Sequence, residues 1–91
     1  MKVLVEGMMP DKTKIQIEDR RDDEAFHIHA ATIAAYPTDR NGEQFRAERR
    51  CGTYYEAAYV FHLLTNGMAT LDDYGFTAMH AGRSIPYQEK M

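Results

Sequence analysis

The chain has one cysteine, Cys51, so no disulfide can close within it, and a reducing compartment suits that usage. Basic residues are not in excess. The formal charge is -3 and the pI about 5.7, which argues against a general binder of free duplex DNA or of a membrane surface. No apolar run approaches the length of a bilayer span, and the opening MKVLVEG is too short an apolar stretch for a secretory leader. Together these absences point to a cytoplasmic protein. There is no CxxC, no HExxH and no other catalytic or cofactor motif, and no repeat, low-complexity tract or internal linker. A single domain over residues 1–91 is expected, with residues 86–91 frayed at the end.

What is present suits a small folded body. Hydrophobic residues make up 44% of the chain, too many for disorder. A chain of this length buries roughly 60–65% of its unfolded surface, enough for one core.

The best-defined segment is Thr53 to Gly67. Thr53 and Glu56 are spaced as a capping box, in which the Thr53 hydroxyl accepts the Glu56 amide and the Glu56 carboxylate reaches back to the Thr53 amide. The interior holds no Gly or Pro, and Gly67 suits the left-handed residue that ends a helix. A helix over 53–66 follows. Its expected inward stripe is Tyr54, Ala57, Phe61 and Leu64, with Ala58 beside them.

The remainder reads as strands. Lys2–Glu6 is short and apolar. Thr13–Glu18 alternates, with Ile15 and Ile17 on one face and Lys14, Gln16 and Glu18 on the other. Alternation resumes at Ala25 with Phe26, Ile28 and Ala30, then changes parity to Ile33 and Ala35, which predicts a bulge near Ala30–Ala31. Pro37 to Gly42 is a turn, with Asn41–Gly42 suited to positive φ. Glu43–Arg50 returns, with Phe45 and Ala47 inward and Gln44, Arg46, Glu48 and Arg50 outward. Thr70–Asp73 suits a single helical turn ended by Gly75, Phe76–His80 a last strand, and Ala81–Met91 an irregular tail. The order β-β-β-β-α-β predicts an α+β fold, an antiparallel sheet of four or five strands with one main helix on one face.

Five chemistries are open to these residues. His27 and His29 share a strand face, and with His62, His80 and Cys51 they resemble a ligand set, but an H-x-H pair is a weak pattern and no metal or other cofactor is assigned. Cys51 precedes a helix start beside Arg49 and Arg50, where a thiolate gains stability, yet a lone cysteine is usually a small core hydrophobe. Asp22, Asp23, Glu24, Asp72 and Asp73 cluster as solvated loop charges rather than as an acid–base pair. No catalytic residue is named.

The arginines offer more. Arg40, Arg46, Arg49 and Arg50 gather on one hairpin, with Arg20 and Arg21 in support and Tyr36, Tyr54 and Tyr55 near in sequence. Such a surface can contact structured RNA or the acidic side of a ribonucleoprotein. Glu43 and Glu48 alternate with those arginines, which also fits an ordinary mixed-charge face. Six methionines and six tyrosines exceed what so small a core holds, and both types serve adaptable protein interfaces. A homodimer competes with a foreign partner for that surface.

In its short length, acidic balance, lack of catalytic or cofactor signature and compact sheet–helix body, the chain resembles the small accessory proteins of phages and other mobile elements, the anti-CRISPR proteins among them. The resemblance is one of general form and carries no motif. It implies inhibition by binding, with the protein docking on a bacterial CRISPR–Cas surveillance complex and blocking target DNA. On the residues themselves, a non-enzymatic binding protein is expected, with Arg46, Arg49 and Arg50 as the main polar contacts and Arg20, Arg21, Arg40 and Tyr36 around them. A small RNA-binding domain using the same arginines and tyrosines is the alternative, and a metal- or cysteine-dependent protein the third.

Overall fold

The computed structural model describes residues 2–21, 29–80 and 83–88. Its strands are β1 (Lys2–Met8), β2 (Lys14–Asp19), β3 (Ala31–Tyr36), β4 (Arg46–Cys51), β5 (Thr77–His80) and β6 (Arg83–Pro86); between β4 and β5 lie α1 (Tyr54–Thr65) and a 3-10 turn, Leu71–Tyr74. The strands form one antiparallel sheet in the order β1-β2-β3-β4-β5-β6, each beside its sequence neighbour. The α+β class and the helix-on-sheet arrangement are as the sequence predicts, with one strand more than the largest expected number.

Alternation fixes the covered face. Ile15 and Ile17 of β2, Ala31, Ile33 and Ala35 of β3, Ala47 and Cys51 of β4 and Ala78 of β5 are all buried. Ile17 lies opposite Ile33 in the register, and Ala35 opposite Ala47. The alanines let the helix sit low on the sheet, where Ala57, Val60 and Leu64 seal the core. Val60, absent from the expected stripe, fills its centre, whereas Tyr54, expected inward, is 41% exposed and Phe61 is only partly buried. The physical reason is rotation: with Ala57 and Leu64 pointing in, Val60 lies between them on the same face, and Tyr54 is pushed to the margin. Gly7 lies against the helix, since a Cβ there would lie 2.7 Å from the Phe61 ring.

The helix begins as the capping pattern requires, with the Thr53 hydroxyl accepting the Glu56 amide at 3.1 Å. The Glu56 carboxylate, however, takes the amide of Gly52 at 3.0 Å rather than that of Thr53. Asn66 caps the other end and Gly67 follows at φ 70°.

Other boundaries differ. β1 runs on to Met8, and its register shifts between Val3 and Val5, leaving Leu4 as the extra residue of a bulge. The returning strand starts at Arg46 rather than Glu43, because Asp39 staples the preceding loop by accepting the amides of Asn41 at 2.8 Å and Glu43 at 2.9 Å. Only Gly42 there has positive φ, so Asn41–Gly42 is not a two-residue hairpin turn. Arg83–Pro86, expected to be irregular, pairs with β5. Tyr87, expected in the frayed end, donates its amide to the Phe76 carbonyl at 2.8 Å and stacks on Phe45 at 6.3 Å. The strand expected around Phe26 and Ile28 lies outside the described residues.

Both outer strands are poor templates for a further strand. β1 is interrupted by its bulge, and β6 is short and ends in Pro86, which has no amide hydrogen to donate.

Candidate functional site

Among the described residues, no helix lies over the second face of the sheet. There the alternation of β2, β3 and β4 sets Gln16 and Glu18, then Thr32, Ala34 and Tyr36, then Arg46, Glu48 and Arg50. At its centre Glu18 is fully buried although it belongs to the solvent-side parity. Its carboxylate accepts a fork from Arg46: Nη2 donates to Oε1 at 2.7 Å and Nη1 to Oε2 at 2.9 Å. Arg20 Nη2 donates to Oε1 at 2.8 Å and Gln16 Nε2 to Oε2 at 2.7 Å. Arg46 also donates to Glu48 at 3.1 Å and to the Tyr36 hydroxyl at 2.9 Å.

Arg46 reaches Glu18 across an intervening strand. β4 and β2 are separated by about two strand spacings, roughly 10 Å, and β3 presents only Ala34 between the long side chains. A small residue in the middle strand is what allows the guanidinium to lie flat. Burial pushes the Glu18 carboxyl pKa up. The hydrogen bonds from Arg46 and Gln16, with the charges of Arg46 and Arg20, outweigh it and hold the group below the ordinary glutamate value. Its partner Arg46 moves the opposite way, its pKa raised chiefly by the hydrogen bond to Glu18. The Thr32 hydroxyl is buried in this layer without a hydrogen-bond partner among the described residues.

The arginines singled out from the sequence are thus divided. Arg46 and Arg20 converge on Glu18, and Tyr36 joins them through Arg46. Arg50 shares their face, half-exposed, its Nη2 at 3.9 Å from Glu48. Arg49 has the opposite parity and faces the helix side. It donates to the Tyr74 carbonyl, pairs with Glu56 at 3.0 Å and lies 5.7 Å from the Tyr74 ring centre. It therefore ties β4 to the start of α1 and to the 3-10 turn. Arg21 forms a fork with Asp19 at 2.9 and 2.7 Å, and that contact holds the Asp19 carboxyl well below the usual range. Arg40 is exposed on the turn between β3 and β4.

The remaining candidates are placed as follows. Cys51 is buried, and burial pushes its thiol up, so the neutral form is favoured. His62 is exposed near the end of the helix with the Asn66 amide 3.2 Å from its Nδ1. His27 and the run Asp22–Glu24 lie outside the described residues. Asp73 takes the Thr70 amide at 2.8 Å as a local cap. Among the described residues no group of three or more His, Cys, Asp or Glu is placed to hold a metal ion.

Two exposed features were not assembled from the sequence. Tyr55 and Tyr59 project from the outer side of α1, 83% and 62% exposed, one helical turn apart. Fixing Ala57, Val60 and Leu64 as the inward set would have placed them opposite. The second is a groove on the open face at the β1–β3 end, lined by Glu6, Met8, Lys14, Gln16 and Tyr36. The outward parity of Lys14 and Gln16 was legible, but the pairing with Met8 and Glu6 depends on the bulged register.

Comparison with protein-family models, with curated proteins and with solved structures finds no match. Among the described residues no helix is long and apolar enough to cross a membrane.

Proposed function

We propose that this chain is a non-enzymatic binding protein that acts in a bacterial cytoplasm by docking on a protein or ribonucleoprotein assembly. The observation that carries this reading is the internal neutralisation of its arginines. Arg20 and Arg46 pair with Glu18, Arg21 with Asp19 and Arg49 with Glu56. A surface that tracks a phosphate backbone needs cations whose charge is available to it; here four of the candidate arginines already hold carboxylates. This favours a protein partner over isolated RNA. Exposed tyrosines on α1 agree, since Tyr supplies large contact area at interfaces. The blunted sheet edges leave the faces, rather than strand addition, for docking.

In this reading Arg46, Arg20 and Arg49 position the surface, while Arg50, Arg40 and Arg21 lie where a partner's rim charges would meet them. The general resemblance to anti-CRISPR proteins makes a CRISPR–Cas surveillance complex the first assembly to test, with blocked target-DNA binding as the effect. Affinity capture of the tagged chain from a bacterial host, with and without nuclease, tests the class of partner. Recovery of a defined protein complex after nuclease supports the reading. Recovery of RNA that disappears with nuclease, with an affinity for isolated RNA that falls steeply with salt, replaces it with the RNA-binding alternative.

A further inference from the structure

We propose that the groove between Met8 and Tyr36 is a docking pocket for one aromatic side chain of a protein partner, flanked in that partner by an acidic and a basic residue. The inference rests on the binding-protein reading and names the chemistry such a partner presents.

The groove has a volume of about 420 Å³ and is lined by Glu6, Met8, Lys14, Gln16 and Tyr36. That is within the range of pockets that receive small organic groups, about 300–1,000 Å³. The register places these five side chains on one face, with Glu6 opposite Gln16, Met8 opposite Lys14 and Lys14 opposite Tyr36; Gly7 and Ile15, which complete the lining, have the opposite parity. Met8 is 50% exposed, a flexible thioether that adapts to an inserted ring. Tyr36 is held from the other side, its hydroxyl accepting Arg46 Nη1 at 2.9 Å, so its ring is a fixed wall.

Charge selects the occupant. Elsewhere on this face the long cations are consumed by carboxylates. Glu6 and Lys14 differ: among the described residues neither side chain has a hydrogen bond or ion pair. They are diagonal neighbours on adjacent strands, their backbones about 7–8 Å apart. An unpaired ammonium therefore rises from the middle strand between Met8 and Tyr36, with an unpaired carboxylate diagonal to it beside Met8. The complementary ligand has an apolar ring between a cation and an anion. A nucleotide fits less well, because Glu6 repels phosphate and, among the described residues, Lys14 is the one basic side chain lining the groove.

The test uses the whole chain with isotope-labelled methionine methyl groups and the probe N-acetyl-Lys-Phe-Glu-amide, followed by NMR titration. The expected result is a saturable shift of the Met8 methyl, lost when the probe's Phe is replaced by Ala. Lys14→Glu weakens binding about tenfold, whereas Lys12→Glu, outside the groove, leaves it unchanged. Absence of a saturable Met8 shift overturns the proposal, as does a shift unaffected by Lys14→Glu. Tighter binding of uridine monophosphate at the same methyl also overturns it and assigns the groove to a nucleotide. Since nuclease-resistant capture is read independently, a failed titration beside a successful capture rejects the groove while leaving the binding-protein reading in place.

Discussion

The two faces of this sheet are stabilised by different physics. Under the helix, alanines and isoleucines pack against Ala57, Val60 and Leu64. On the open face, the centre is closed by Glu18, Arg46, Arg20 and Gln16 lying over Ala34 and Thr32, both of which are fully buried. The first face tolerates only shape errors of about a methylene. The second depends on its charged groups keeping their partners, since a buried charge left unpaired is worse than an apolar layer. A basic cluster in a sequence is therefore not by itself a binding surface: Arg46 and Arg20 form the layer that covers the centre of this sheet face.

The contrast can be broken first from the packed side. Leu64→Ala is expected to lower stability by about 3 kcal/mol, read from chemical denaturation, because it removes a fully buried side chain between helix and sheet. On the open face, Glu18→Ala leaves Arg46 and Arg20 facing one another without their shared carboxylate, an expected loss of about 3 kcal/mol. Ala34→Leu changes no charge yet fills the space the Arg46 side chain crosses; a loss of about 2 kcal/mol is expected in the same assay. A neutral Ala34→Leu would mean that the guanidinium does not need that path.

Acid separates the faces further. Glu18 has a lowered pKa in the folded state, relative to an ordinary value of 4.5. The stability it contributes is fully present above that value and is lost as pH falls through the folded pKa. Denaturation midpoints measured from pH 6 to pH 3 should fall for the native chain, and fall less for Glu18→Gln. The smallest effect belongs to Thr32→Val. Replacing an unpartnered buried hydroxyl by an isosteric methyl is expected to be neutral or to stabilise by up to about 1 kcal/mol.

Much of the packed face was legible because its signals are local. The Thr53 cap, Gly67 and the Ile15–Ile17 alternation are read within a few residues. Val60 was missed as the central inward residue because a short helix can be rotated by one position without violating its apolar pattern. β6 was missed because Arg83–Pro86 has no alternation of its own; it is ordered by pairing with β5, beside the packing of Tyr87 on Phe45. The open face was legible only in part. The parity of Arg46 and Arg50 followed from β4, and the same parity puts Arg49 on the other side. The Glu18–Arg46 fork joins residues two strands apart, and nothing in either neighbourhood announces it. It requires the β2–β3–β4 register and a small residue at Ala34.

The most direct measurement is a double-mutant cycle on Glu18→Ala and Arg46→Ala, with stability read by denaturation. If the open face is closed by this pair, the double variant is about 2 kcal/mol more stable than the sum of the two single losses predicts. Additivity within about 0.5 kcal/mol would contradict it, and would return Arg46 to the surface as a cation available to a partner.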